Sequence, residues 1–293
     1  MTDLVAITNG AFTARINPLG AELWSLTDPQ GREYMTDADP AFWTGHAPLL
    51  FPIVGALRNG RYRLDGREYA LPKHGFARTS RFTVAEARPD YVRFRLEDSE
   101  ATRAAWPFAF ALEAEFALGG ATLAMAATVR NAGERPMPFS FGFHPAFAWP
   151  LPDGGAKAGH RVIFARDEPA PIRRIDPASG TLREEPQPTP VRGRELAPAA
   201  SLFEADALIW DRLASRSLTF AGESGRSLAI DFPDCPHLGL WQKPGAPFLA
   251  IEPWQGFNDP EDFAGELGEK PGVVVLAADA QRRFRLDVTV RNG

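Results

Sequence analysis

The sequence is a succession of short segments in which hydrophobic and polar residues alternate, separated by turns rich in glycine, proline and aspartate. Such alternation is the pattern of β-strands with one buried face. The segments run from Phe12–Ile16 to Arg283–Val290, and the best helical segment is Asp98–Trp106, which Asp98 or Ser99 can cap. The pattern therefore predicts an all-β chain, a large antiparallel β-sandwich or barrel with very little helix.

The strands keep the same character from one end of the chain to the other, which predicts a single domain over residues 1–293. The main interruption is the stretch 150–200, which is rich in proline, glycine and charge. Because strands resume after it, we interpret it as an excursion over the surface rather than a linker between domains, and we do not assign it a role.

Composition excludes several classes of protein. The net charge is −5 and no strongly basic block occurs, so a nucleic acid partner is not expected. Cys235 is the only cysteine, which excludes an intramolecular disulfide and a thiolate metal cluster. No apolar run reaches membrane-spanning length, and the N-terminus lacks the pattern of a signal peptide. We therefore expect no membrane association and a cytoplasmic location.

The stretch Phe139–Phe147, FSFGFHPAF, carries the first candidate for chemistry. In a strand, its phenylalanines at 139, 141 and 143 share one face, and Ser140, Gly142 and His144 share the other. A titratable histidine held on a rigid strand, with small residues beside it, is typical of half of an acid–base site. A structural histidine at a strand end is the alternative.

The stretch Phe248–Gly256, FLAIEPWQG, carries the second candidate. Alternation places Glu252 and Trp254 on one face of an otherwise apolar strand. A carboxylate is costly to bury there, and burial raises its pKa toward the range of a general base. Trp254 offers the flat apolar surface on which a sugar ring stacks. An exposed or arginine-bonded glutamate is the alternative.

Four further side chains stand beside predicted strands. His74 and Arg78 lie in KHGFAR at 73–78, where Arg78 could hold an anion. Arg58 lies in a loop between two strands, and Asp211 follows the apolar pair Ile209-Trp210. Each is equally explained as a loop or turn residue on local grounds. The histidines lack the short spacings typical of zinc sites, so we expect no metal.

Taken together, these pieces resemble the aldose 1-epimerase (mutarotase) superfamily, in its shorter bacterial branch. The resemblance covers nearly the whole chain and rests on six pieces that occur in the family's order: NPLGAEL at 17–23, PLLFPIVGALRNGRY at 48–62, PKHGFAR at 72–78, GFHPAF at 142–147, ALIWDRL at 207–213 and AIEPWQG at 250–256. It implies the galactose mutarotase-like supersandwich, which agrees with the strand pattern.

The resemblance also implies roles for individual residues. Glu252 matches the catalytic base and His144 the general acid. His74 matches a substrate-binding histidine near the ring oxygen, Arg58 an arginine of the early substrate-binding loop and Asp211, less securely, an aspartate that binds sugar hydroxyls. The implied reaction interconverts the α and β anomers of a hexose and needs no cofactor. The gap at Ser140 and Gly142 would form the floor under the sugar.

Two alternatives stay open. HGFAR is also similar to the matching stretch of glucose-6-phosphate 1-epimerases, in which arginines of these loops hold the phosphate. Arg58 and Arg78 therefore leave open a sugar phosphate as the substrate. A carbohydrate-binding protein without turnover is the third possibility.

Overall fold

The computed structural model describes residues 3–292. Most of its regular secondary structure is β-strand, since 44% of the residues lie in strands and 8% in helices. The all-β prediction is confirmed. The strands, in chain order, are β1 Val5–Thr8, β2 Thr13–Asn17, β3 Glu22–Thr27, β4 Leu49–Leu50, β5 Arg61–Leu64, β6 Arg67–Ala70, β7 Thr83–Arg88, β8 Tyr91–Glu97, β9 Phe110–Gly119, β10 Thr122–Asn131, β11 Met137–Phe139, β12 Phe141–Phe143, β13 Ala146–Ala148, β14 Arg161–Phe164, β15 Glu195–Leu196, β16 Leu208–Trp210, β17 Ser217–Ala221, β18 Ser227–Asp231, β19 His237–Trp241, β20 Phe248–Gln255, β21 Val274–Leu276 and β22 Gln281–Arg291.

The α-helix that the sequence predicts spans Glu100–Ala105 and is called α1. The Ser99 hydroxyl accepts a hydrogen bond from the Thr102 backbone N–H, and the Thr102 hydroxyl accepts one from the Ser99 N–H. This reciprocal capping explains why so short a helix begins at this point. Short 3-10 turns span Arg58–Gly60, Ala77–Thr79, Lys157–Gly159, Ala200–Phe203 and Leu267–Glu269. Within residues 3–292, no helix has the length and apolar character needed to cross a membrane.

The largest sheet has nine antiparallel strands in the order β15-β14-β17-β18-β22-β10-β9-β8-β7. Its longest strand, β22, shows how the burial of one strand face produces the alternation of hydrophobic and polar residues in the sequence. Phe284, Leu286 and Val288 are fully buried, whereas Arg283 and Arg285, on either side of Phe284, are exposed. One face of the strand therefore belongs to the core and the other faces water.

The second large sheet, which we call the site sheet, has the order β16-β19-β20-β12-β4, with β13 also paired to β20. It packs on the nine-stranded sheet: the Phe141 ring on β12 stacks on the Phe284 ring on β22, with centroids 5.0 Å apart and an interplanar angle of 17°. The central strand, β20, is buried from Phe248 to Trp254 on both of its faces. Two antiparallel sheets packed face to face form the sandwich that the sequence predicts.

One hydrophobic core joins buried residues from Ile7 on β1 to Val290 on β22. The organisation as one domain over 1–293 stays a prediction. The stretch 150–200 does more than cross the surface. Its strands β14 and β15 extend the nine-stranded sheet, and Arg173 forms a bridge with Ile209 on the edge of the site sheet. This bridge brings the stretch to the rim of the cavity described next.

Candidate active site

A cavity of about 250 Å³ lies on the face of the site sheet that turns away from the main core. Five of the seven side chains singled out in the sequence line it: His74, Arg78, His144, Glu252 and Trp254. They come from segments far apart in the chain. The strand order and register of the site sheet explain how they meet.

Glu252 lies in the middle of the site sheet. On β20 it pairs with Gly239 of β19, and two residues further on Trp254 pairs with Gly142 of β12 on the other side. Because Glu252 and Trp254 are two residues apart, their side chains share a face. Leu249 and Ile251 face the main core instead. The alternation predicted for this strand is confirmed.

The Trp254 side chain lies at the gap beside Gly142, where the sequence analysis expects the floor under a sugar. A Cβ built on Gly142 would lie 2.6 Å from Trp254 Cδ1, and one built on Gly239 would lie 2.5 Å from Trp254 Cη2. The indole therefore lies against two glycines on the neighbouring strands. The expectation that the gap forms the floor under a sugar is wrong at Gly142, because the Trp254 indole from the next strand covers that glycine.

His144 lies between β12 and β13, where Pro145 separates the two short strands. Its Nε2 is 3.1 Å from Glu252 Oε2. Its Nδ1 is buried and has no hydrogen-bond partner in any other described residue. The indole of Trp43 stacks on the imidazole, with centroids 5.0 Å apart and an interplanar angle of 28°. The ring plane is therefore held by an aromatic neighbour, and the imidazole Nε2 faces the Glu252 carboxyl oxygen at 3.1 Å.

Burial sets the protonation of this pair. It raises the pKa of Glu252 well above its usual value, against the opposing positive charge of Lys73. It lowers the pKa of His144 to about 3, and the charges of Lys73 and Arg78 act in the same direction. With Glu252 protonated and His144 neutral, the two groups together carry one acidic proton. The neutral form, with the proton on Glu252, is favoured because it buries no charge.

His74 is also held as a neutral ring. The backbone N–H of Gly55 donates to His74 Nδ1 at 3.1 Å, so Nε2 carries the proton. Burial lowers the pKa of His74 well below its usual value, and the charges of His144, Lys73 and Arg78 add to this. The ring lies edge-on to His144, with centroids 5.8 Å apart. A neutral His74 can offer a hydrogen-bond donor beside the Glu252–His144 pair.

The backbone around His74 shows why this local sequence contains a glycine. His74 and Gly75 both have positive φ, 68° and 69°. A Cβ on Gly75 would lie 2.3 Å from the carbonyl oxygen of Phe51. Only glycine allows the loop to approach β4 this closely, which brings His74 to the cavity.

Comparison with known proteins agrees with this geometry. The family model described as aldose 1-epimerase matches residues 3–267. The chain belongs to the aldose 1-epimerase family. The chromosomal and plasmid forms of protein LacX from Lactococcus lactis are each 34% identical over 98% of this chain and 99% of their own.

Two solved structures share the fold closely. A galactose mutarotase-like protein from Lactobacillus casei has a TM-score of 0.90 and 29% identity, covering 98% of this chain and 100% of its own. A galactose mutarotase related enzyme from Lactobacillus acidophilus has a TM-score of 0.88 and 29% identity, covering 99% and 97%. The predicted supersandwich fold and the resemblance to mutarotases are confirmed.

In this member of the aldose 1-epimerase family, two of the predicted residues lie outside the cavity. Arg58 is exposed on a 3-10 turn and lines a separate surface depression, where its backbone N–H donates to Asp259 at 2.8 Å. The Asp211 carboxylate lies 3.4 Å from Arg173. Neither residue lines the cavity, and the substrate-binding roles of Arg58 and Asp211 stay predictions.

The cavity also has walls that the sequence analysis missed, namely Trp43, Lys73, Ile175, Asp206, Ala207, Trp241 and Asn258. Lys73 stands in the KHGFAR piece, and Asp206 stands just before the ALIWDRL piece, so both were near a recognised signal. Within residues 3–292, no three His, Cys, Asp or Glu side chains come together in a cluster that could hold a metal ion.

Proposed function

We propose that this protein is an aldose 1-epimerase that interconverts the α and β anomers of a hexose. The observation that carries the proposal is the contact of 3.1 Å between Glu252 Oε2 and His144 Nε2 in a cavity walled by tryptophans. Membership of the aldose 1-epimerase family supports a sugar as the substrate. The expected cytoplasmic location stays a prediction.

The reaction needs one acid and one base that reach two oxygens on the same carbon. Transfer of the shared proton from Glu252 to His144 gives a carboxylate beside an imidazolium. Glu252 then takes the proton from the O1 hydroxyl while His144 gives its proton to the ring oxygen, and the C1–O5 bond breaks. The open-chain aldehyde turns about its C1–C2 bond. Ring closure reverses both proton transfers and regenerates the pair.

The other cavity residues favour this sequence of steps. The charge of Lys73 stabilises the Glu252 carboxylate once it forms. His74 Nε2–H can donate to the ring oxygen or to a neighbouring hydroxyl. Trp254 and Trp241 present aromatic surfaces to the apolar faces of a sugar ring, and Asp206 and Asn258 offer polar groups to its hydroxyls.

The test is polarimetry on freshly dissolved α-glucose and α-galactose, with the spontaneous rate in buffer subtracted. The protein should accelerate the approach to equilibrium, and Glu252→Gln should lose roughly 10²-fold or more of that rate. Glu68→Gln is the matched control, because Glu68 is exposed and far from the cavity lining. The proposal fails if no common aldose is accelerated above buffer.

A hexose 6-phosphate is the second candidate, because two cationic side chains, Lys73 and Arg78, line the cavity. The same assay with free and 6-phosphorylated sugars side by side separates the two substrates. If the phosphate binds at this pair, Arg78→Ala should raise KM for the phosphorylated sugar alone. Arg58→Ala is its control, since Arg58 lies outside the cavity.

A further inference from the structure

A fully buried ion pair lies directly after Asn258, which is part of the cavity wall. Lys270 Nζ is 2.8 Å from Asp259 Oδ1, and the two side chains are 0% and 4% exposed. Taking two charges out of water costs free energy, and a pair of apolar side chains of similar size is often just as stable. Stability alone is therefore a weak explanation for an ion pair at this place.

The ion pair fixes both oxygens of the Asp259 carboxylate. Oδ1 faces Lys270, and Oδ2 accepts a hydrogen bond from the backbone N–H of Arg58 at 2.8 Å. The backbone N–H of Asp259 also donates to the carbonyl oxygen of Ala56 at 2.9 Å. Asp259 therefore holds the loop 55–58 at two points, and Lys270 sets the plane of the carboxylate that makes one of them.

The loop 55–58 in turn holds His74. The backbone N–H of Gly55 donates to His74 Nδ1 at 3.1 Å, and the carbonyl oxygen of Gly55 accepts from the backbone N–H of His74 at 2.9 Å. Asn258 lies against the same glycine, because a Cβ built on Gly55 would be 2.1 Å from Asn258 Oδ1. A displacement of this loop would therefore move the imidazole at the cavity.

The bond from Gly55 also decides which nitrogen of His74 carries the proton. Because Nδ1 accepts from the backbone, the neutral ring carries its proton on Nε2. That N–H is the donor that His74 can offer beside the Glu252–His144 pair. If the loop shifts and the bond is lost, the ring can also take the other tautomer, whose Nε2 has no proton to donate.

We propose that Lys270 and Asp259 are positioning residues of the active site, because their ion pair holds the loop 55–58 and thereby keeps His74 in place as the Nε2–H tautomer. The proposal rests on the proposed function, since it gives the ion pair a part in that reaction. Neither Lys270 nor Asp259 lines the cavity, so their effect on the sugar would pass through His74.

The first test removes the hydrogen bond to Asp259 and leaves the ion pair in place. Arg58→Pro and Arg58→Ala both remove the guanidinium, but only proline removes the backbone N–H that Asp259 accepts. Proline fits here, because Leu57 before it is extended and the exposed Arg58 begins a 3-10 turn. The polarimetric kcat of Arg58→Pro should be roughly tenfold or more below that of Arg58→Ala, since a small displacement of a reacting group is costly.

The second test changes the ion pair itself. The double variants Lys270→Met/Asp259→Asn and Lys270→Met/Asp259→Leu both remove the two charges and keep side chains of similar size. The asparagine keeps an oxygen that can accept from the Arg58 N–H, and the leucine has none. The leucine variant should have a kcat roughly tenfold or more below that of the asparagine variant. Urea unfolding of both variants shows that the comparison is between folded proteins.

The tautomer of His74 is a readout that a purely structural role would not move. The nitrogen chemical shifts of its imidazole, measured by NMR, distinguish a ring with the proton on Nε2 from one with the proton on Nδ1. The native protein, Arg58→Ala and the asparagine double variant should show the Nε2–H tautomer. Arg58→Pro and the leucine double variant should show a mixture of the two.

The proposal is overturned if either the His74 tautomer or kcat is the same within both pairs of variants. If the leucine double variant does not fold, the two variants at Arg58 decide alone, because they leave the core unchanged. If the native protein turns over no sugar, the proposed function fails, and the tautomer decides instead. A mixture in Arg58→Pro then supports the positioning of His74 by Asp259, and an unchanged Nε2–H tautomer overturns it.

Discussion

Replacing Glu252 by glutamine should make the protein more stable at neutral and alkaline pH while it removes activity. Glu252 is fully buried, and burial raises the pKa of its carboxyl well above the model value of 4.5 that applies to the unfolded chain. Ionising it in the folded protein is therefore costly. A glutamine of the same shape can still donate a hydrogen bond to His144 Nε2, and it carries no charge at any pH.

The sign and size follow from proton linkage. Between pH 4.5 and its raised folded pKa, the folded protein keeps a proton on Glu252 that the unfolded chain has lost. The free energy of unfolding therefore falls as pH rises, by about 1.4 kcal/mol for each pH unit. Glu252→Gln has no carboxyl to ionise, so its free energy of unfolding does not fall in this way. Its free energy of unfolding should exceed that of the native protein by nearly zero at about pH 4 and by about 1.4 kcal/mol more for each pH unit above 4.5.

His144 has the opposite effect on how the free energy of unfolding depends on pH. Burial lowers the pKa of its imidazole to about 3, against 6.5 when unfolded. The folded state resists protonation, so the free energy of unfolding is undiminished above pH 6.5 and falls as pH drops toward 3, by about 5 kcal/mol in all. The native protein should therefore be most stable between about pH 4.5 and 6.5. In Glu252→Gln the free energy of unfolding should no longer fall at alkaline pH, but it should still fall at acid pH.

The assay is urea unfolding followed by tryptophan fluorescence from about pH 4.5 to about pH 8, with polarimetry on the same samples. Glu68→Gln, at an exposed site, should follow the native protein at every pH. The reasoning is refuted if the stability difference between Glu252→Gln and the native protein does not change with pH, or if the variant is the less stable at the alkaline end.

Three other substitutions test the geometry. Gly142→Ala should destabilise the protein by about 1–3 kcal/mol in thermal unfolding, since its Cβ would lie 2.6 Å from the Trp254 indole, whereas Gly119→Ala, with nothing within 4 Å, should not. Arg58→Ala should keep the polarimetric rate on free and phosphorylated sugars alike; a loss above tenfold would place this residue at the substrate. Trp43→Ala should lower kcat and let the pKa of the imidazole stacked on it rise from about 3 in an NMR titration, while Trp43→Phe should retain both.

The sequence contains enough to predict the fold because its strands are amphipathic. On β22, each buried residue alternates with an exposed or half-buried one, and the hairpin of β5 and β6 turns at Asp65-Gly66, both with positive φ, 51° and 73°. Local chemistry decides such features. The order of strands in the sheets is different, because it depends on pairings between residues far apart, such as Gly142 with Trp254. This is why the filling of the glycine gap could not be foreseen.

In the candidate site, too, the residues with a local sequence signal could be predicted, and those that depend on tertiary contacts could not. Glu252 and His144 are conspicuous because each is a titratable group on an apolar strand. Asp206 and Asp211 lie on either side of the same short strand, and nothing local separates them. A tertiary contact makes the difference: Arg173, from the 150–200 stretch, lies 3.4 Å from the Asp211 carboxylate, and Asp206 faces the cavity.

The order of protonation in the pair is a further property that only the fold supplies. Solvent-exposed side chains with ordinary pKa values would hold Glu252 ionised near neutral pH. Burial reverses this and leaves a neutral acid beside a neutral base. The neutral pair and the ion pair that the proposed reaction uses contain the same number of protons, so one is converted to the other by moving one proton across a contact of 3.1 Å, with no exchange with solvent. Lys73 favours the ionised carboxylate and Asp206 opposes it.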